Sequence, residues 1–153
     1  MPFRSELLLK PQLRFHYAVE LPTFATSAIY QPGSSNNSDL NGIIFPDIPW
    51  LLNPNQSVQE SQRALDQYWG AGARTRARFF AMGYDAYYLA GLLNGRSGNS
   101  NMLVNGMTGE LYMEDGQLHR RLNWARMESG EPRVLPDIQD NLTESAEIVI
   151  SQQ

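Results

Sequence analysis

The sequence predicts an α/β fold. Short apolar segments bounded by Gly and Pro are typical of buried strands, and longer segments have the composition and start signals of helices. An Asp-Gly pair between two segments of alternating polarity predicts a β-hairpin. The chain has 153 residues, 42% of them hydrophobic, which fits one domain with a sizeable core.

The segments that predict strands are Ala25–Tyr30 (ATSAIY) and Gly42–Ile48 (GIIFPDI), which are short and apolar. Between them, Pro32–Gly42 (PGSSNNSDLNG) is rich in Gly, Ser and Asn, residues that resist regular structure. Asn94–Asn101 (NGRSGNSN) has the same composition. Both stretches predict loops.

The N-terminal segment leaves two alternatives open. Leu13, Phe15 and Tyr17 alternate with other residues as in a strand. Pro11, however, suits the first position of a helix running to Ala18. The local pattern does not decide between them.

Two helices are predicted in the middle of the chain. Ser57–Trp69 opens with Ser57 and has Glu60 three residues later, the pattern of a capping box. Phe79–Asn94 is apolar on nearly every side, which indicates a buried helix.

Gly83 interrupts the second helical pattern, where glycine is unfavourable by roughly 1 kcal/mol relative to alanine. The regular helix is therefore expected to begin near Tyr84. Asp85 would then lie in the first turn, where the helix dipole favours a carboxylate. A ligand-binding carboxylate is the alternative interpretation of Asp85.

The segment Gly106–Trp124 (GMTGELYMEDGQLHRRLNW) predicts a β-hairpin with Asp115-Gly116 at its turn. Leu111 and Met113 alternate with Glu110, Tyr112 and Glu114, so the charges fall on the exposed face of the hairpin. On this face, Arg120 and Arg121 are candidates for cross-strand pairs with Glu110 or Glu114.

The carboxylates of this hairpin do not predict an active site or a metal site. Arginines occupy positions where an EF-hand loop needs oxygen ligands. Zinc needs several converging ligands, and the chain has two histidines, His16 and His119, and no cysteine. The strand-exposed glutamates lack the closed setting of a glycosidase pair, and no nucleophile elbow or phosphate loop occurs. We therefore predict no catalytic residue, no cofactor and no metal.

The charge of the chain argues against a nucleic-acid surface. The net charge is -4, and the tail 137–153 contributes four acidic residues and no basic one, so the remaining body is neutral. Arg74, Arg76 and Arg78 form a cluster that is interpreted either as a solvated approach to a helix or as a partner-binding patch. No apolar run is long enough for a transmembrane helix, and Pro11 interrupts the short apolar N-terminus, so no secretory signal is predicted.

Several phrases, in order, resemble the LppC/LpoA family of lipoprotein activators of penicillin-binding proteins. They are FHYAVELPTFATSAIYQ, DLNGIIFPDIPWLL, RARFFAMGYDAYYLAGLL and NGMTGELYMEDGQLHRRLNWA, and the resemblance extends over roughly 9–135. It implies the C-terminal segment of a type I periplasmic-binding-protein-like fold, in which crossing strands join two α/β lobes.

The resemblance also implies an assignment of elements. The segment through Tyr17 would be a helix, and Pro22–Ala28 and Gly42–Ile48 would be strands of the second lobe. The helix Phe79–Asn94 would belong to the first lobe, and the hairpin would cross back to the second.

The function implied by the resemblance is non-enzymatic. The parent would be a periplasmic lipoprotein, anchored in the outer membrane, that binds and activates a class A penicillin-binding protein in peptidoglycan synthesis. The candidate contacts are Trp50, Leu51, Arg74, Arg76 and Arg78. Core packing is the alternative for Trp50, because tryptophan is mostly buried. A second possibility is a module that binds an amino acid or peptide fragment in a cleft near Asp47, Tyr84 and Asp85.

Members of the family are longer than this chain and carry a lipobox cysteine and an N-terminal helical-repeat domain, which this sequence does not include. Residues 1–136 are therefore expected to be the C-terminal part of a periplasmic-binding-protein-like domain, and 137–153 a flexible acidic tail. Membrane association would depend on a lipid anchor outside the chain. Sheet edges left uncovered would favour self-association.

Overall fold

The computed structural model describes residues 12, 15, 16, 21–95 and 102–135. Strand β2 (Ile43–Asp47) lies inside a four-stranded sheet with the order β1-β2-β6-β7. Its parallel neighbour is β1 (Thr23–Phe24), and β6 (Asn123–Glu128) and β7 (Glu131–Val134) follow as antiparallel strands. This arrangement brings the two ends of the described chain into one sheet.

A second sheet has three antiparallel strands in the order β3-β4-β5. They are β3 (Leu103–Asn105), β4 (Glu110–Glu114) and β5 (Gln117–Arg121). The predicted hairpin is confirmed, because Asp115 and Gly116 both have positive φ, at 50° and 76°, as this turn requires. The register places Glu110 opposite Arg121, and this predicted cross-strand pair is confirmed at 3.2 Å between Oε1 and Nη1.

Four helices connect the two sheets. They are α1 (Pro49–Leu52), α2 (Gln56–Trp69), α3 (Ala71–Thr75) and α4 (Ala77–Gly95). In the described part of the chain, none of them is long and apolar enough to cross a membrane.

Two apolar clusters hold these elements together. One lies on the four-stranded sheet, where Ile43 and Phe45 of β2 meet Ala125 and Met127 of β6 under Tyr30. The second joins α1, α2 and α4 to the loop after β3, and its buried members are Ile48, Trp50, Val58, Ala77, Ala81 and Met107. The helices therefore pack where β2 ends and α1 begins.

The strand predicted at Ala25–Tyr30 is wrong. The strand in this region is the two-residue β1 at Thr23–Phe24, and Ser27–Ile29 forms a 3-10 helix. Of the segment Pro22–Ala28 that the family resemblance assigned to a strand, only these two residues are extended into the sheet. The carbonyls of Ser27 and Tyr30 accept hydrogen bonds from the guanidinium of Arg78, which is about 50 residues later in the chain. These two carbonyls are therefore not paired with a neighbouring strand.

Two local predictions are also corrected. The segment Pro32–Gly42 is not wholly irregular, because Ser35–Leu40 forms a 3-10 helix that buries Asn37 and Leu40. Helix α2 begins at Gln56, where the Oδ1 atom of the N-cap Asn55 accepts the Val58 N–H at 2.9 Å. Asn55 therefore replaces Ser57 as the cap, and both residue types are good caps.

Helix α4 differs most from its prediction. It runs unbroken through Gly83, so Asp85 lies in its interior and not in its first turn. It is not buried on all sides, because Phe79 is 69% exposed and Tyr87 is 85% exposed. Its buried residues recur every four positions, at Ala77, Ala81, Asp85 and Leu89, so one stripe packs on the described protein.

Because Gly83 lies in the interior of α4 and a Cβ there would meet no atom within 4 Å, alanine can be introduced without a clash. We expect Gly83→Ala to raise the free energy of unfolding of the chain by about 1 kcal/mol through helix propensity. Urea denaturation followed by circular dichroism measures this. Gly106→Ala is the control with the opposite sign, since its Cβ would lie 2.7 Å from Asp85 Oδ2. Equal effects of the two substitutions would contradict the explanation.

Most of the N-terminal segment, the loop residues 96–101 and the tail 137–153 lie outside the described residues. The predictions for these segments, including the choice between strand and helix near Tyr17, stay predictions. The His16 N–H does donate to the Gln12 carbonyl at 3.0 Å. The division into 1–136 and 137–153 is likewise untested.

Candidate functional site

The most highly connected buried polar side chain in the helical half of the structure is Asp85. It is 5% exposed, and its Oδ1 accepts the Met107 N–H at 2.8 Å. Its Oδ2 accepts the Thr108 N–H at 2.7 Å and the Thr108 hydroxyl at 2.6 Å. One carboxylate in the middle of α4 thus holds the loop between β3 and β4.

Glycines on both sides of this loop make the approach possible. A Cβ at Gly106 would lie 2.7 Å from Asp85 Oδ2, and a side chain at Gly109 would collide with the Arg121 carbonyl. Gly109 also has φ of 140°, which L-residues rarely adopt. The same loop is also bonded to α1, because the Trp50 N–H donates to the Met107 carbonyl at 3.2 Å.

A second polar cluster lies where β2 ends. Asp47 is 1% exposed and pairs with Arg78 through both oxygens, at 3.1 Å to Nε and 2.5 Å to Nη2. Its Oδ1 also accepts the Ile48 N–H at 2.8 Å. Since Arg78 also donates to the carbonyls of Ser27 and Tyr30, it links β2, α4 and the first 3-10 helix.

The three residues predicted to line a ligand cleft do not all meet. Tyr84 and Asp85 line one open groove of about 430 Å³, together with Asn55, Tyr88 and Asn105. Asp47 is not among its lining residues and lies against Arg78 instead. Both carboxylates are already hydrogen-bonded within the protein. The ligand cleft near these residues stays a prediction.

Two of the predicted contact residues, Trp50 and Leu51, line another pocket, of about 330 Å³. Trp50 and Leu51 form one part of its wall, and Ala73 and Ala77 form another. Arg76 lies between these two alanines and is exposed. Trp50 itself is 4% exposed and packs in the second cluster, so it behaves as a core residue and not as a surface residue.

The other members of the predicted contact set differ in what they present. Leu51 is half-buried between the two apolar clusters. Arg78 is partly exposed, and its guanidinium pairs with Asp47 and donates to the Ser27 carbonyl, so a partner patch formed by the three arginines stays a prediction. The side chain of Arg74 lies outside the described residues. Sequence alone could not separate Arg76 from Arg78, because their difference arises from contacts with residues 27–47.

The hairpin carboxylates do not converge. Glu110 pairs with Arg121, and Glu114 and Asp115 are exposed at the turn end. Over residues 21–95 and 102–135, no three acidic or histidine side chains are grouped closely enough to hold a metal ion. His119 stacks on Tyr112, with 5.3 Å between ring centroids.

Tyr30 carries a pH-dependent contribution to stability. Burial, reinforced by the nearby charges of Glu131 and Asp47, raises the pKa of Tyr30 above the ordinary tyrosine value of about 10, and Arg78 opposes this. Since the folded state holds the phenol proton more tightly, the contribution is complete below pH ~10 and is lost as the pH rises through the folded-state pKa. We expect Tyr30→Phe to flatten the loss of stability between pH 9 and 11. Urea denaturation across that range tests this, with Tyr87→Phe, at an exposed tyrosine, as control.

Comparisons with known proteins agree on one family. A family model described as "LppC putative lipoprotein" matches residues 4–130. The chain is 35% identical over 127 residues to the penicillin-binding protein activator LpoA of Photobacterium profundum, and 33% identical over 124 residues to that of Vibrio vulnificus. These matches cover 80% and 78% of the chain but 20% of each relative. The chain therefore spans about one fifth of the length of these relatives.

Solved structures show the fold. The chain is similar to the C-domain of Haemophilus influenzae LpoA, described as a regulator of PBP1A, with a TM-score of 0.65 and 21% identity over 86% of the chain and 41% of that domain. It is also similar to a branched-chain amino acid ABC transporter structure from Chromobacterium violaceum. That match has a TM-score of 0.61 and 28% identity over 82% of the chain and 39% of the other. The predicted α/β, periplasmic-binding-protein-like fold is confirmed.

Proposed function

The chain belongs to the LppC family, and on that premise we propose that it is part of a non-enzymatic regulator that binds a class A penicillin-binding protein and stimulates peptidoglycan synthesis. The observation that carries the proposal is the similarity to relatives named penicillin-binding protein activators. Because the chain spans about a fifth of the length of those relatives, we assign their activity and partner to it only as a proposal. The same proposal includes a periplasmic location, an outer-membrane lipid anchor in the full-length protein, and the division into residues 1–136 and a tail 137–153.

The polar chemistry of the described residues is consistent with a regulator. The buried carboxylates of Asp47 and Asp85 accept hydrogen bonds from other parts of the protein and thereby stabilise the fold. Activation by such a protein depends on binding the active conformation of the synthase more tightly than the inactive one. The surface that it presents therefore matters more than any single ionisable group.

We place the contact at the pocket of about 330 Å³ lined by Trp50, Leu51, Ala73 and Ala77. A pocket of this kind accepts an apolar anchor from a partner, and a charged residue at its rim adds orientation. Arg76, an exposed cation adjacent in the sequence to the pocket-lining Ala77, is the charged residue that we assign to this contact. The fully partnered carboxylates do not favour the alternative of an amino-acid-binding module.

Arg76→Glu is expected to weaken binding to a class A penicillin-binding protein by about tenfold, because reversing a charge at an interface rim removes attraction and adds repulsion. Surface plasmon resonance with an immobilised class A penicillin-binding protein of Photobacterium profundum, the synthase used here, measures the dissociation constant. Arg120→Glu, at an exposed arginine on β5, is the matched control and should leave binding within about twofold.

A rate assay separates regulation from mere binding. The chain should raise the glycan polymerisation rate of that synthase and should release no product from peptidoglycan when the synthase is absent. Binding without stimulation would reject the regulator role for this part of the protein. Equal losses for Arg76→Glu and Arg120→Glu would reject the proposed contact surface.

A further inference from the structure

The pocket assigned to the partner contact has one charged side chain in an otherwise largely apolar lining. Of the described residues that line it, Asp66 of α2 is the only charged one, and Gln62 is the only other hydrophilic one. The rest of the lining is apolar and includes Trp50, Leu65 and Ala77. Because Gln62, Leu65 and Asp66 are spaced i, i+3 and i+4 on α2, they present one face of that helix to the pocket.

The two hydrophilic residues supply oxygen acceptors from neighbouring turns of α2. The Nε2 atom of Gln62 donates to the Trp50 carbonyl at 2.7 Å, which leaves its Oε1 as an acceptor. Asp66 is exposed, and no cation whose side chain the structure describes lies within 4 Å of its carboxylate. At i and i+4 the two side chains start about 5–6 Å apart. This part of the pocket therefore suits a group that donates several hydrogen bonds and carries positive charge.

Filling the pocket changes the surroundings of the Asp66 carboxylate. In the free chain, water solvates this exposed group. A purely apolar anchor would displace that water without replacing its hydrogen bonds. An ionised carboxylate that loses water in this way is strongly destabilised unless a cation takes the place of the water. The favourable anchor therefore combines an apolar stem with a cationic end.

An arginine side chain meets these requirements better than a lysine side chain. Its methylene groups can lie along the apolar wall while its charged end reaches the acceptors. Its planar guanidinium has five donors in a fixed fork, whereas the lysine ammonium is a compact point charge. The fork can serve the Asp66 carboxylate and the Gln62 Oε1 at once. Arginine is also one of the residue types that contribute most at the centres of interfaces.

We propose that the pocket receives an arginine side chain of the class A penicillin-binding protein, with its guanidinium paired to Asp66. This inference rests on the proposed function, because it names the group that the partner inserts into the same pocket. Arg76 does not line the pocket, so the acidic partner residue expected opposite Arg76 is a different one. The contact therefore requires both a basic and an acidic residue on the surface of the synthase.

Surface plasmon resonance with the same immobilised synthase tests the role of Asp66. Asp66→Asn keeps the size of the side chain and removes its charge, and it is expected to weaken binding by about thirtyfold. Glu60→Gln is the matched control, because it removes a charge from an exposed position on the same helix outside the pocket lining. It should leave the dissociation constant within about twofold.

The outcomes separate this inference from the proposed function. If the wild-type chain does not bind the synthase, the proposed function fails and the arginine contact fails with it. If the wild-type chain binds and Asp66→Asn binds equally well, the arginine contact alone is wrong. An equal loss for Glu60→Gln also overturns it, because a general effect of acidic charge on α2 would then explain the result.

A chemical footprint identifies the residue that the partner supplies. Phenylglyoxal modifies arginine side chains, and mass spectrometry compares its rate at each arginine of the synthase alone, with the wild-type chain and with Asp66→Asn, at concentrations that saturate binding. We expect one arginine of the synthase to become at least tenfold less reactive with the wild-type chain and to regain most of its reactivity with Asp66→Asn. Acetylation of the synthase lysines should not depend on Asp66. Asp66-dependent protection of a lysine in place of an arginine, or of neither residue type, overturns the proposal.

Discussion

Asp85→Ala is expected to lower the free energy of unfolding by about 4 kcal/mol, a larger effect than that of any other substitution proposed for this chain. The substitution removes an acceptor shared by the Met107 N–H, the Thr108 N–H and the Thr108 hydroxyl. Two backbone donors would then be left in a buried loop without a partner, each at about 1–3 kcal/mol. Since a whole domain is stable by about 5–15 kcal/mol, the loss threatens folding itself.

Urea denaturation followed by tryptophan fluorescence measures this loss. Thr108→Val is the matched control, because it removes the hydroxyl donor and leaves both backbone bonds to Asp85 intact, at about 1 kcal/mol. If Asp85→Ala proved no more destabilising than Thr108→Val, the backbone contacts would not be the source of the effect. Once folded, the Asp85→Ala variant should bind the synthase normally, since Asp85 does not line the proposed contact pocket.

Arg78→Met is expected to lower the free energy of unfolding by about 3 kcal/mol. Methionine keeps much of the apolar stem, so the loss comes from the guanidinium. It leaves the buried Asp47 carboxylate with one donor, the Ile48 N–H, and frees the carbonyls of Ser27 and Tyr30. Breaking a buried pair in this way typically costs about 3–5 kcal/mol, and the partial exposure of Arg78 places the expectation at the lower end.

A double-mutant cycle tests the pair directly. In the Asp47→Asn background the effect of Arg78→Met should shrink, because the carboxylate that needs a cation is gone. Arg121→Met is the control at a surface pair with Glu110 and should change stability by less than about 1 kcal/mol. Additive effects of Arg78→Met and Asp47→Asn would show that the two residues stabilise the fold independently and not through their ion pair.

Local chemistry made part of the fold predictable from sequence. Asp115-Gly116 encodes its own turn, and once that turn is fixed the pleat aligns Glu110 with Arg121. The strand in Gly42–Ile48 was also predictable, because this short segment is apolar and β-branched and is bounded by Gly and Pro; the strand itself is Ile43–Asp47. The family phrases then identified the arrangement of these elements.

The features that escaped prediction depend on residues far apart in the chain. In the sequence, Asp85 resembles a helix-start residue. Its role depends on the N–H groups of Met107 and Thr108, which come 22 and 23 positions later in the chain and donate to its carboxylate. The 3-10 helix at Ser27–Ile29 stands where a strand was predicted, and its Ser27 carbonyl accepts a hydrogen bond from Arg78, about 50 positions later. Of these contacts, only the glycines around Met107 and Thr108 left a sequence signal, since Gly106 and Gly109 permit the close approach of Asp85 and Arg121.

The candidate contact surface stays a prediction. Trp50 and Leu51 line one pocket, yet the sequence did not show that Trp50 is nearly fully buried. Helix α4 was expected to be buried because its composition is largely apolar. Composition indicates which surroundings suit a helix, but it does not show how much of the helix surface the described residues cover.

The exposed apolar side chains of α4, such as Phe79 and Tyr87, also bear on how long the protein survives in a cell. Chains that keep apolar surface uncovered are retained by chaperones or degraded, and small differences in stability change steady-state abundance several-fold. A copy whose α4 is covered would therefore accumulate, and an uncovered copy would be removed. The cellular level of this protein is thus expected to follow the supply of whatever covers that helix, which would couple its quantity to its assembly without any dedicated control step.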